Sequence, residues 1–496
     1  MTTRTTRSVR PADTAVDTRR WFALVVILIA TFMAILDTFI VNVAIPSIQH
    51  GLQMSFGEIQ LVIAGYTLAY AVGLITGGRL GDIYGRKRLF VVGMLGFTLF
   101  SLICGLAPSG ILLIIARIAQ GLAAALMIPQ VLALIQVNFR ERERGIAFGF
   151  YGATVGLASI AGQILGGFLI TSNAFGLGWR NVFLVNVPIG ILAVLAAIPL
   201  IRESRVDGAR SLDLGGVGIL SVALFLLTYP LVEGRDAGWP LWAFLCLILT
   251  LPVFAGFVFY EHRLSRKQGS PLLPLSLFKD RTFDLGMIAA LVFYSGNAAL
   301  FFILALYLQM GLGFSALAAG LTFMPLGIGF ALTSLIAPRL VPHLGGTWIL
   351  RSGAIVMFLG ELSTLWAVLQ TGFHIREVEL VLPLLVVGLG EGIVAAPLIN
   401  TILAGIQAQN VGVASGVLTT TTQVANALGV AFIGIIFFGV LRPGAQPALS
   451  YGQAFEASTW AIAALALLTL LFVSLLPSAK KPRATQESQS GEATQG

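Results

Sequence analysis

SGILLIIARIAQGLAAALMIPQVLALIQVNF, residues 109–139, is almost entirely apolar and carries a single charge, Arg117. At about 1.5 Å per residue, a helix of this length spans the ~30 Å hydrocarbon core of a bilayer. The apolar residues do not alternate with polar ones, so the segment reads as a helix and not as a barrel strand. An arginine facing lipid at the centre of a span costs about 2.5–3.5 kcal/mol or more, so Arg117 must face protein. The rest of the chain is of the same kind. Its 496 residues are 57% hydrophobic and only 10% charged, with a mean hydropathy of +0.91. Soluble domains carry about 25% charged residues. A chain this apolar cannot present a wet surface over its length. It is expected to be an all-α polytopic membrane protein, because spanning helices satisfy every backbone hydrogen bond internally.

Fourteen spans are expected, near 21–45, 59–78, 89–107, 111–138, 146–170, 181–201, 214–232, 241–260, 284–308, 316–337, 347–369, 379–402, 412–440 and 455–476. With residues 1–20 as a cytoplasmic basic tail, 25 of the 30 Lys and Arg residues fall on the cytoplasmic side. Arg180, Arg235, Arg376 and Arg442 fall outside, and Arg117 lies within a span. This asymmetry is the positive-inside rule. It explains the net charge of +8 by topology and removes the argument for a nucleic-acid partner. Residues 478–496 are polar and read as a disordered cytoplasmic tail. Cys104 and Cys246 sit in apolar runs and give no disulfide framework or metal site. The four histidines are far apart, and no metal is expected.

The loop after the second span, GGRLGDIYGRKR (Gly77–Arg88), has a partner after the tenth, APRLVPHLGGTW. Aligning Leu80 with Leu340 also aligns Gly85 with Gly345, an offset of 260 residues. Six spans need only about 180 residues here, so the excess fits two extra helices between two six-helix halves. The ordered pattern Gly78, Asp82, Gly85, Arg86 resembles the loop between helices two and three of the major facilitator superfamily. LDTFIVNVAIP (36–46), RIAQG (117–121), WRNVFLVNVPIG (179–190), PLLPLSLFKDRTF (271–283), YLQMGLGFSALAAGL (307–321) and ASGVLTTTTQVANALGVA (414–431) resemble motifs of its fourteen-helix drug:proton antiporter family. The resemblance implies an N-terminal bundle over 21–201, linkers with two extra helices over 202–275, and a C-terminal bundle over 276–477. Two parallel repeats related by an axis along the membrane normal are the architecture of such transporters.

It also implies roles for residues. Gly78, Asp82, Gly85 and Arg86 would form a conformational switch loop whose charge contacts hold one state. In the fifth span, Gly162, Gly166 and Gly167 match the family's glycine-rich motif, whereas Gln163 replaces its proline and Ala158 a glycine. The missing proline removes a kink site, which weakens the case for antiport against symport. Small residues four apart, Gly152/Gly156 and Gly162/Gly166, let helices pack closely in any case.

Ionisable residues at membrane depth are functional candidates by default. Asp37 lies about 12 Å from the outer end of its span and Arg117 about 9 Å from the outer end of its own, so they are depth-matched. Glu361 and Glu391 lie about 20 Å into theirs, near the midplane. Glu391, flanked by Gly390 and Gly392, is the first choice for a carboxylate over which a proton and a cationic substrate compete. Asp37 and Arg117 follow, with Glu361 behind them. None of the five lysines follows a glycine, so no Walker A loop is present. No nucleophile with a matched base appears, which disfavours an enzyme. The expected activity is therefore secondary export of small amphipathic or cationic compounds in exchange for protons, across a cell membrane, with no cofactor, both termini cytoplasmic and the chain monomeric. An uptake symporter or facilitator of the same fold is the alternative, and a receptor on this fold is disfavoured by the short loops.

Overall fold

The computed structural model describes residues 19–54, 56–172, 176–205, 212–234, 237–267, 271–371, 375–442 and 446–477. The helices are α1 (Arg19–Leu52), α2 (Phe56–Tyr84), α3 (Arg86–Leu106), α4 (Gly110–Asn138), α5 (Glu141–Ser172), α6 (Asn181–Leu184), α7 (Asn186–Leu200), α8 (Leu214–Glu233), α9 (Leu241–Arg266), α10 (Arg281–Leu306), α11 (Ala316–Thr322), α12 (Met324–Leu344), α13 (Gly346–Gln370), α14 (Glu377–Ala404), α15 (Val411–Val440) and α16 (Pro447–Leu475). They make 14 spans long and apolar enough to cross a membrane, in the expected order. Two expected spans are interrupted. The sixth breaks at Val185 into α6 and α7, and the tenth breaks at Phe323, just before Pro325, into α11 and α12. A proline in the first turn starts a new helix because its missing N–H is not needed there.

The internal repeat is visible in the packing. In the first half α1 packs on α5 and α7, α2 on α4, and α3 on α4 and α7. In the second half α10 packs on α15 and α16, α12 on α14, and α13 on α14 and α16. The pairing is the same helix for helix. The two halves meet reciprocally, α5 against α12 and α2 against α15. The aligned glycines play the same part in each half. Gly85 (φ 108°) joins α2 to α3 and Gly345 (φ 88°) joins α12 to α13, a left-handed conformation open to glycine at no steric cost. Both turns lie on the face that carries most of the Lys and Arg, called the basic face below.

The inserted pair α8 and α9 pack on each other, and α8 also touches α2 and α15 along one seam between the halves. A strap after α9 returns the chain to α10. The buried Glu261 carboxylate at the end of α9 holds it, Oε2 accepting from the Leu273 amide at 3.1 Å. Beside it the Tyr260 hydroxyl donates to Asp213 Oδ1 at 2.9 Å. A Cβ on Gly216 would lie within 2.6 Å of both carboxylates, so the paired glycines after Asp213 leave room for this contact.

Candidate functional site

Three polar clusters stand inside the apolar frame. In the first half, Arg117 of α4 points at Asp37 of α1. Its Nη1 donates to Asp37 Oδ2 at 2.5 Å, and both side chains are sealed from solvent. Gln120, one turn on from Arg117, accepts from the same Nη1 at 2.8 Å and donates its own Nε2 to Asp37 Oδ1 at 3.0 Å. Asn186 of α7 donates to Asp37 Oδ1 at 3.1 Å and to Ser101 Oγ at 3.1 Å. Arg117 Nε donates to Val62 O at 3.2 Å, and the guanidinium lies 4.1 Å from the centre of the Tyr66 ring. The depth match read from the sequence is thus a direct contact. A buried pair offsets its desolvation only when geometry and extra hydrogen bonds are good, and both conditions hold here. Sequence reasoning missed Gln120 and Asn186. Gln120 carried a signal, since residues three apart share a helix face.

In the second half, Glu361 of α13 and Glu391 of α14 line one small cavity with Asn297, Phe293, Met357 and Thr469. Both glutamates are buried, at 2% and 1% exposure. Glycines bring them together. Gly360 packs on Val387, and Gly390 has no room for a Cβ against the Met357 backbone, so α13 and α14 run in close contact. Gly392 is closed in the same way against Phe330 O of α12. The glycines flanking Glu391 therefore admit neighbouring helices. Asn297 is within hydrogen-bonding reach of Glu391. The Oε2 atoms of both glutamates are buried and have no hydrogen-bond partner among the described residues. No basic side chain lines the cavity. This is the reverse of Asp37, where one oxygen receives Arg117 and the other two amides.

Between these clusters runs a band of tyrosines that crosses from one half to the other. Tyr66 and Tyr70 of α2 stack with ring centres 6.0 Å apart. Tyr70 pairs with Gln423 of α15 and approaches Tyr151 of α5. Tyr151 in turn approaches Tyr294 of α10, which lies near Glu391. Phe39 and Phe301 face each other across the halves with centres 6.2 Å apart.

The third cluster clamps the basic face. Asp82 Oδ1 accepts from Arg86 Nε at 3.2 Å and Nη2 at 2.7 Å, with both residues buried. Asp82 Oδ2 accepts from the Val413 amide at 3.2 Å, in the first turn of α15, where helix N–H groups lack intrahelical partners and carry partial positive charge. Arg86 Nη2 donates to Ala408 O at 2.7 Å, and Gln136 Nε2 donates to Leu403 O at 2.5 Å, both across to the second half. Gly78 leaves no space for a Cβ against Gly412 O. The four loop residues singled out in the sequence therefore act at one place: Gly85 makes the turn, Gly78 permits the approach, and Asp82 and Arg86 hold α15.

In α5, Gly162 packs on Phe39 and on the α1 backbone, Gly166 is buried, and Gly167 lies 3.9 Å from Leu317 for a notional Cβ. Gly152 and Gly156 face Ser334 and Phe330 of α12. The side chain of Gln163 lies outside the described residues.

The model of the Major Facilitator Superfamily matches residues 27–430. The chain is 41% identical over 434 residues to a probable actinorhodin transporter of Streptomyces coelicolor, covering 88% of this chain and 75% of that one. It is 36% identical over 469 residues to a puromycin resistance protein of Streptomyces alboniger, covering 93% and 91%. It is 33% identical to a tetracenomycin C resistance and export protein of Streptomyces glaucescens, covering 84% and 76%. Among solved structures, the proton:xylose symporter XylE aligns over 93% of this chain and 97% of its own, at 14% identity and a TM-score of 0.66, a likeness of fold. With its repeated six-helix pairing, its clamp on the basic face and this match, the chain belongs to the Major Facilitator Superfamily.

Proposed function

We propose that the protein exports small amphipathic compounds, many of them aromatic or cationic, in exchange for protons, by alternating access between its two halves. The observation that carries this reading is the pair Glu361 and Glu391, buried round one cavity with an unpartnered oxygen each and no basic side chain in its lining. A carboxylate out of water needs either a proton or a cation beside it, so a proton and a cationic guest can compete for this site. The tyrosine band leads from this cavity to the interface between the halves, where ring faces suit flat or positively charged guests. The names of the relatives, transporters or resistance proteins for actinorhodin, puromycin and tetracenomycin C, point to export of compounds of that size.

Asp37 and Arg117 neutralise each other in this conformation and enter the cycle only in a state that parts them. Asp82 and Arg86 hold the basic face shut, and their release opens it. The protein would act as a monomer in a cell membrane, with both termini in the cytoplasm and the proton gradient as its only energy source. Inverted vesicles with an acidified interior test the exchange. Antiport predicts uptake of a dye such as ethidium into the vesicles with dissipation of the gradient. A symporter would instead lose preloaded compound as protons leave, and this would overturn the proposal.

A further inference from the structure

The inserted helix α9 makes few contacts with the rest of the protein. Only 17% of its most apolar stretch is buried, the least of the 14 spans. Toward the basic face it borders an open groove of about 510 Å³ lined by Ala255, Val258, Phe259, His262 and Leu275. Ala255, Phe259, His262 and Arg266 are spaced four, three and four apart, so they lie along one face of the helix. Apart from His262 the lining is apolar, and the chain segments that supply it continue into a run of cations. Between residues 262 and 281 there are five Lys or Arg, namely Arg263, Arg266, Lys267, Lys279 and Arg281, against one acid, Asp280. All five are exposed and make no side-chain hydrogen bond or ion pair among the described residues. Asp280 is engaged, its Oδ1 accepting from the Thr282 amide at 2.8 Å as the cap of α10. Asp284 and Glu261 are the nearest other acids in sequence, and Glu261 is buried against the strap.

An open apolar groove on the helix, flanked in sequence by exposed and unpaired positive charge, is complementary to one kind of molecule. We propose that this groove is a binding site for an anionic glycerophospholipid, with an acyl chain against Ala255, Val258 and Phe259 and the phosphate among Arg263, Arg266 and Lys279. Neutral lipid fills the same apolar space but finds no counter-charge. Each basic residue near an anionic headgroup contributes about fivefold to binding. The site anchors α9 and the strap that follows it, and through the strap the start of α10.

The test uses the purified full-length chain and compares retention of phosphatidylglycerol and phosphatidylcholine with identical acyl chains by native mass spectrometry. The wild type is expected to retain phosphatidylglycerol preferentially. The variant R263Q/R266Q/K279Q is expected to lose that preference by more than tenfold, and R266Q alone by about fivefold. Ala255→Trp, which fills the groove, is expected to weaken phosphatidylglycerol retention with the charges intact. Equal retention of the two lipids by the wild type would overturn the proposal. So would a preference unchanged in R266Q. Glycerol phosphate competing as well as the whole lipid would show an anion site without a chain, and would overturn it too.

Discussion

Replacing Asp37 with alanine isolates the ion pair in the first half. Arg117 would keep its bonds to Gln120 Oε1 (2.8 Å) and Val62 O (3.2 Å) and its place over Tyr66, but would lose its only counter-charge among the described residues. Gln120 Nε2 and Asn186 Nδ2 would lose their acceptor at the same time. Removing one partner of a buried ion pair costs about 3–5 kcal/mol, and each buried amide donor left without its acceptor adds about 1–3 kcal/mol. Asp37→Ala is therefore expected to destabilise the protein by at least about 3–5 kcal/mol. Asp37→Leu combined with Arg117→Met removes both charges at similar volume, and is expected to recover most of that loss. Unfolding in detergent micelles, followed by tryptophan fluorescence against denaturant, reads all three proteins. A single variant within about 1 kcal/mol of wild type, or a double variant as unstable as the single one, would refute the reasoning.

Other expectations follow from the same geometry. Asp82→Asn keeps the shape of the clamp but takes the charge from the bond to the Val413 amide that crosses to α15, worth about 1.5–3 kcal/mol, so spin labels across the basic face should show a population shift of about tenfold toward separation. Gly390→Leu has no space against the Met357 backbone and should abolish the folded, monodisperse protein, whereas Gly345→Asn, with open space around it but φ 88° and ψ 141°, should still fold with a loss of about 1–3 kcal/mol from backbone strain. Glu261→Ala removes the acceptor of the Leu273 amide, and hydrogen exchange at the 271–275 strap should speed up while the spans stay protected.

The order and number of spans were legible in the sequence because a twenty-residue apolar run has one solution in a bilayer. The repeat was legible through two glycines, since Gly85 and Gly345 sit where the backbone needs φ > 0. Asp37 and Arg117 were legible as depth-matched charges, because rise per residue converts position to depth. Their partners were not. Asn186 reaches Asp37 from just past the interruption of the sixth span at Val185, and hydropathy does not tell which side of that span faces α1. Facing direction was also hidden. Glu361 and Glu391 share a cavity through the glycine-lined contact of α13 with α14, which depends on which sides of the two helices meet. The sequence ranked Glu391 first by its glycines, and the structure gives those glycines to helix packing while leaving Glu391 an unpartnered oxygen.

Proton release on substrate addition, measured in inverted vesicles with wild type, Glu391→Gln, Glu361→Gln and Asp37→Asn side by side, separates the two carboxylate sites. Glu391→Gln should bind dye yet release no protons and fail to accumulate it against a gradient. Glu361→Gln should couple weakly, and Asp37→Asn should stay coupled in the fraction that folds. Coupling that survives in a Glu361→Gln/Glu391→Gln double variant would place the proton elsewhere and contradict the reading.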